Sequence, residues 1–285
     1  MYSALSPGAI HVRAGNLAEA MAAAKTGGFG GVEFNSAEVA DLIEARGVEH
    51  VRSLFADAGV RPAGFGLPID WRGDEDGWRA GLERLPRLAQ AAAAIDGART
   101  MTWIMPCSND LPFEQNLAFH VDRFTPIAEI LAAHGCRLGL EFIGPRTLLR
   151  SRQYPFVHTM GGMLEMAAKI GPNVGLLLDC WHWHTSGGTV EDLLLRDPKN
   201  VVYVHVNDAP RGVGMDEYVD NQRGLPGETG VIDIAGFLRA LDEIGYDGPV
   251  TPEPFKEELK ELPDDAARLR TVGDCMRKIF AQAEL

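Results

Sequence analysis

The chain has 285 residues, of which 46% are hydrophobic, 24% charged and 8% aromatic, proportions that exclude collagen-like, disordered and disulfide-scaffold classes. Its 27 basic and 40 acidic residues give a net charge of −13, which argues against nucleic acid as a partner but allows a small anion met by local arginines. Cys107, Cys136, Cys180 and Cys275 form no CxxC pair and read as reduced thiols. Met1 to Asn16 lacks an export signal, and no stretch has the roughly 18 uninterrupted apolar residues of a membrane span, so the expected location is the cytoplasm with no membrane partner.

In chain order, the strand candidates are Ala9–Val12, Gly31–Phe34, Pro62–Gly66, Thr100–Ile104, Arg137–Ile143, Val174–Asp179, Val201–Asn207 and Pro249–Glu253. Segments of helical periodicity lie between them, including Val48–Ala58, Phe113–His134 and Ile234–Ile244. Gly28, Gly135, Gly171 and Gly245 fit the position after a helix where a left-handed backbone is needed. Parallel strands need crossover helices, so eight strand–helix units predict a single α/β domain over 1–285, a (β/α)8 barrel. An open doubly wound sheet is the alternative, but Val12-Arg13-Ala14-Gly15-Asn16 is not the GxGxxG turn such a sheet usually carries.

Barrel enzymes place their chemistry at the carboxyl ends of the strands. Here four consecutive strands end in metal-competent groups: Glu141, Asp179, His205 and Glu253. A charge in an apolar strand is costly unless paired or bound to metal, and convergence of four such ends points to one shared divalent ion. Three oxygen donors and one imidazole favour Mn2+, Mg2+ or Co2+, with Mn2+ the leading expectation and Zn2+ also suited.

Several motifs carry a resemblance. Gly31-Val32-Glu33-Phe34, Gly139-Leu140-Glu141, Val174 to Asp179 with His182, Val204-His205-Val206-Asn207-Asp208, Leu225-Pro226-Gly227-Glu228 and Gly245 to Glu253 are similar to the xylose-isomerase-like TIM-barrel superfamily of sugar phosphate isomerases and epimerases. That superfamily includes ketose 3-epimerases, hydroxypyruvate isomerase and inosose isomerase. The resemblance spans essentially the whole chain. It implies that Glu141, Asp179, His205 and Glu253 bind the metal and that Glu141 and Glu253 act as the acid/base pair. It also implies that His182 hydrogen-bonds the substrate beside the metal, and that Arg211 holds a hydroxyl, carbonyl or phosphate. Thr229 departs from the family's Pro-Gly-Glu-Gly pattern, and the stretch Arg211–Arg223 is long.

Trp103 is read as a pocket wall, His11 and His158 as substrate contacts, and Glu33 as a residue lining the site floor or pairing with a cation. The expected activity is isomerisation or epimerisation of a ketose, keto acid or keto-cyclitol through an enediolate, by proton transfer between the two glutamates. One competing reading is a lyase like dehydroshikimate or inosose dehydratases, or a C-glycoside-cleaving enzyme. Another is abasic-site DNA repair of the endonuclease IV type, disfavoured because Gly66 and Ile104 end the third and fourth strands without ligands. The partner is then a small sugar or keto-cyclitol, with a homodimer or homotetramer suggested by the resemblance.

Overall fold

The computed structural model describes residues 1–285. Eight parallel strands close into a barrel: β1 (Tyr2–Leu5), β2 (Gly31–Glu33), β3 (Arg61–Gly66), β4 (Arg99–Ile104), β5 (Arg137–Phe142), β6 (Val174–Asp179), β7 (Val201–Val206) and β8 (Pro249–Pro252). Neighbours follow in chain order, and β1 closes the ring by pairing with both β8 and β2. No helix is long and apolar enough to cross a membrane.

The first strand lies earlier than its apolar pattern predicts. Residues Pro7–Ile10 form a 3-10 turn with proline at its start, and His11 ends it in the left-handed region at φ 58°. Proline presets the turn's φ, and the N–H groups of Ala9, His11 and Val12 go to the carbonyls of Ser6, Gly8 and Pro7, so the run beginning at Ala9 spends its donors in the turn rather than in a ladder. Tyr2–Leu5 finds partners instead, with Tyr2 opposite Pro249 and Leu5 opposite Val32.

The long helices pack around the strands and are capped as the sequence allows. Asn16 accepts from the Glu19 N–H to open Leu17–Gly27, and Asp74 accepts from Gly77 to open Glu75–Ala94. Gly28, Gly135 and Gly245 have φ of 75°, 71° and 88° after their helices. Gly171 does not: its φ of 172° is extended, and its N–H still bonds to the Ala167 carbonyl. The last helix, Asp265–Gln282, lies against the first so closely that a Cβ on Gly273 would sit 1.9 Å from the Gly27 carbonyl oxygen.

Two layers of core follow. The larger fills the space between strands and helices, while Ala4, Ala63, Met101, Leu177 and Tyr203 plug the barrel interior. Tyr203 is buried there, and its hydroxyl donates to Glu33 Oε1 at 3.1 Å and lies 2.9 Å from Thr251 Oγ1. The plug closes the floor beneath the late strand ends.

Candidate metal and substrate site

Strand register brings the candidate ligands together. Asp179 on β6 pairs across from His205 on β7, His205 pairs with Thr251 on β8, and Glu141 on β5 lies beside Trp103 on β4. Glu253 follows β8 directly, and its N–H bonds to the Asn207 side-chain oxygen at 3.0 Å. One donor atom each from Glu141, Asp179, His205 and Glu253 falls within 4.8 Å of the others. No second cluster of three or more metal-competent side chains exists in the chain.

The donors are unequally satisfied. Asp179 accepts from the Trp181 N–H at 2.8 Å, from Asn207 Nδ2 at 3.0 Å on both oxygens, and from Arg223 Nη1 at 2.9 Å. Glu141 Oε1 and both ring nitrogens of His205 are buried with no hydrogen-bond partner. His205 Nδ1 lies 3.3 Å from Glu253 Oε2 and 3.6 Å from Glu141 Oε1. Native proteins rarely leave buried polar atoms unpaired, and an unpartnered Glu141 oxygen together with one of the unpartnered His205 nitrogens, within a cluster of donors less than 4.8 Å apart, fits a divalent cation there. The donor set, three carboxylates and one imidazole, suits such an ion.

Electrostatics tell the same story. Burial pushes the Glu141 carboxyl up to about 8, opposed by His205 and reinforced by Glu253. Burial likewise raises Asp179, against the pull of Arg223. At Glu253 burial is outweighed by His205 and Arg223, which hold the carboxyl below its ordinary range. Burial works against an imidazolium at His205, yet the Glu253 and Glu141 carboxylates lift it well above the ordinary value. Burial and mutual repulsion thus oppose ionisation of the clustered carboxylates, and positive charge placed among them relieves both.

Arg223 is the residue that sequence reasoning misses. It is 7% exposed, and its guanidinium reaches Asp179, Glu253 Oε2 at 3.0 Å and Asp220 at 3.0 Å. The loop after β7 delivers it. Asp208 accepts from the N–H groups of Ala209, Thr229, Gly230 and Ile232, folding the loop back on itself. An antiparallel bridge between Asp208 and Gly224 then sets Arg223 over the cluster. Thr229, the departure from the family pattern, is absorbed here, its hydroxyl donating to the Ala209 carbonyl at 2.6 Å. The signal in the sequence was an arginine just before Gly224-Leu225-Pro226-Gly227, in a loop otherwise rich in polar residues. Asn207 ties Asp179 to Glu253, its Nδ2 donating to Asp179 and its Oδ1 accepting from the Glu253 N–H.

The other expected residues separate. His182 is fully buried beneath Arg223, with Nδ1 3.2 Å from the Gly144 N–H and Nε2 3.2 Å from Arg223 Nη2. The Gly144 N–H donates to Nδ1, and burial first, then the Arg223 and His205 charges, press the pKa well below the ordinary value. The fit is tight, since a Cβ on Gly144 would meet the His182 carbonyl at 2.3 Å. A cavity of about 630 Å3 opens above the cluster, and Trp103, Glu141, Arg223 and Glu253 line it. Arg211, His158 and His11 lie outside that lining. Arg211 is exposed and donates to the Thr229 carbonyl, because the loop's fold turns it outward. His158 Nδ1 contacts the Phe156 carbonyl at 3.0 Å, and His11, turned by its left-handed backbone, faces Glu257 at 3.6 Å. Glu33 ends β2, accepts from the Tyr203 hydroxyl and lines separate clefts beside Asn35 and Gly66 rather than the cavity over the carboxylates, with burial the main force raising its pKa. Cys180 is fully buried, and burial raises its thiol well above the ordinary range, which leaves it unreactive.

The chain is similar to several known proteins. The model of the xylose isomerase-like TIM barrel family matches residues 21–278. The inosose isomerase of Halalkalibacterium halodurans is 25% identical over 240 residues, covering 82% of this chain and 80% of that enzyme. The 3-dehydroshikimate dehydratase of Pseudomonas aeruginosa is 30% identical over 261 residues, 88% of this chain but only 38% of that longer enzyme. Among solved structures, a xylose isomerase domain protein from Alicyclobacillus acidocaldarius superposes with a TM-score of 0.86 at 30% identity, covering 99% of both chains. The IolI protein with a bound zinc atom shares the fold with a TM-score of 0.75 at 20% identity, over 99% of this chain and 98% of that one.

Proposed function

Because the chain belongs to the xylose isomerase-like TIM barrel family, we propose that it is a divalent-metal-dependent isomerase or epimerase of a ketose, keto acid or keto-cyclitol. The observation that carries this reading is the convergence of Glu141, Asp179, His205 and Glu253 within 4.8 Å, with Glu141 Oε1 and both His205 nitrogens unpartnered. Mn2+ is the proposed ion, and the zinc in IolI supports the divalent assignment without choosing the metal. When bound, the ion would polarise the substrate carbonyl and acidify the neighbouring C–H.

The cavity lining supports a division of labour among the four. Glu141 and Glu253 line the cavity, whereas Asp179 and His205 lie behind it. The two glutamates therefore reach a substrate carbon: one takes the proton, and either returns it at the same or the neighbouring carbon. Asp179, fixed by Asn207, Arg223 and the Trp181 N–H, holds position and moves no proton. Arg223 also lines the cavity, so its guanidinium can hold a substrate oxygen while keeping Glu253 ionised.

A second reading is favoured by the dehydratase relative, which shares 30% identity over most of this chain. The same proton abstraction followed by expulsion of a β-hydroxyl would release water and leave an unsaturated, ultraviolet-absorbing product. Turnover of ketoses and keto-inositols in D2O tests both. Deuterium at the carbon beside the carbonyl without loss of water supports the isomerase, and loss of water the lyase. Glu253→Gln should lower exchange by roughly 10²–10⁴-fold. Wild-type exchange in that variant would overturn the assigned pair.

A further inference from the structure

The amino end of the barrel, opposite the carboxylates, carries a concentration of positive charge. Strands β3, β4 and β5 lie side by side, and each opens on an arginine: Arg61, Arg99 and Arg137. Arg99 and Arg137 sit directly across from each other in the ladder, and like charges so placed repel. Burial lowers the Arg137 guanidinium from its ordinary range, and the Arg99 charge lowers it further. Strand starts in such barrels ordinarily serve stability, and this gathering of like charge works against it.

A cleft of about 490 Å3 opens beside them and shares no lining residue with the cavity over the carboxylates. Arg61 and Arg99 line it, with Arg52 from the helix Val48–Ala58 and the rings of Tyr2 and Phe55. The protein does not use up their donors. Arg61 is exposed, its guanidinium lies 4.8 Å from the centre of the Tyr2 ring, and its side chain makes no hydrogen bond or ion pair. Arg99 reaches one carboxylate, Asp247, at 3.5 Å, and its Nε is buried without a partner. Asp247 is 90% exposed, so water screens that pair. Asp96, the other carboxylate of the lining, is exposed and pairs with no arginine. Arg52 is engaged, donating to the Ala94 carbonyl at 2.8 Å and to Glu49 at 3.1 Å. Arg137 gives its Nη groups to the Val201 and Lys199 carbonyls, so it adds charge here but no donors.

We infer that this cleft binds a small phosphate-bearing anion, free phosphate or a phosphomonoester, through the free guanidinium donors of Arg61 and Arg99, with Arg52 at its rim. A guanidinium presents paired N–H donors that match two phosphate oxygens. A phosphate group carries about −1.5 to −2 at neutral pH, enough to offset two arginines where one carboxylate is not. The volume lies within the roughly 300–1,000 Å3 of small-molecule sites, which leaves room for an esterified group. The site stands or falls separately from the reaction proposed at the carboxylates.

The experiment is calorimetric titration of the metal-free full chain at low ionic strength with inorganic phosphate, fructose 6-phosphate, fructose and acetate. Using metal-free protein keeps phosphate from coordinating an ion among the carboxylates. Phosphate or its ester should bind with a dissociation constant below about 1 mM. Arg61→Ala, at an exposed position that folding does not depend on, should weaken binding roughly tenfold or more. Asp179→Asn, in the carboxylate cluster at the other end of the strands, should leave the affinity within about twofold. Tighter binding of fructose 6-phosphate than of phosphate supports the site and assigns the ester, and equal affinities support it and assign free phosphate. No binding, equal binding of acetate or fructose, or an affinity unchanged in Arg61→Ala would overturn the inference. Affinity lost in Asp179→Asn but kept in Arg61→Ala would put the anion among the carboxylates and likewise overturn it.

Discussion

Strands β5–β8 and strands β1–β4 share one closed barrel, yet their carboxyl ends present different surfaces. The late four carry Glu141 and His205 one residue before the ends of β5 and β7, Asp179 at the end of β6 and Glu253 just beyond β8, all within a few ångströms of one another. The early four end in Leu5, Glu33, Gly66 and Ile104, and of these only Glu33 is ionisable, its carboxyl accepting from the Tyr203 hydroxyl. Trp71, Arg72 and Trp103 build the mouth on that side. A symmetric scaffold thus supports an asymmetric site: one half concentrates buried charge that needs a cation, and the other supplies a wall that needs none. Burial of charge is tolerated only with compensation, so the two halves should respond differently when a cation is removed.

Arg223→Leu removes the one guanidinium bonded to both Asp179 and Glu253. In metal-free protein this should cost about 3–5 kcal/mol in urea unfolding, because two buried carboxylates lose their partner. Arg72→Leu, on the early half, loses contacts with two tryptophan rings and should cost only about 1 kcal/mol. Equal losses in the two variants would erase the distinction between the halves.

Chelation addresses the same asymmetry without mutation. Dialysis of metal-loaded protein against EDTA should lower stability by about 2.7 kcal/mol if the ion had been present at a hundred times its dissociation constant. Asp179→Asn should bind less metal by elemental analysis and show a smaller chelation effect. A wild-type melting midpoint that ignores EDTA would sink the metal assignment.

The early half has its own, smaller electrostatic weakness in His120. Its ring lies between Trp71, Phe124 and Phe156, with Nδ1 2.7 Å from the Asn116 carbonyl. Burial presses its pKa down to about 4, with the Asn116 carbonyl opposing and the Arg72 charge adding to the fall. The unfolded chain takes up that proton near pH 6.5, so this contribution is complete above 6.5 and is lost as pH falls from there through about 4. By pH 5 the loss should reach about 1–2 kcal/mol, and His120→Phe should flatten that part of the stability–pH curve. Identical slopes for wild type and variant between pH 6.5 and 5 would remove His120 from the account.

Legibility in the sequence followed physical cause. Strands β3–β8 lie where short apolar runs place them, because burial on both faces demands such runs. Pattern alone does not separate Tyr2–Leu5 from Ala9–Val12, which are equally short and mixed; pairing with β2 and with β8, the latter a contact between the two ends of the chain, decides between them. Glu141, Asp179, His205 and Glu253 could be found because each terminates a strand, and barrel closure converts four separate strand ends into one site.

Trp103 could be named as a pocket wall from its place at a strand end, but Arg223, Asn207 and the rest of the apolar wall were not legible in this way. The place of Arg223 depends on Asp208 gathering four distant N–H groups and bridging to Gly224, a set of contacts with no local sequence signature. Arg211, favoured by its motif position, is turned outward by that same loop. What the amino-acid sequence determined by itself was therefore periodic: the alternation of strands and helices, and the donors at strand ends. Which arginine faces the carboxylates, and which rings enclose the space above them, was decided by tertiary structure, because loop backbones take their course from long-range hydrogen bonds that no local pattern encodes.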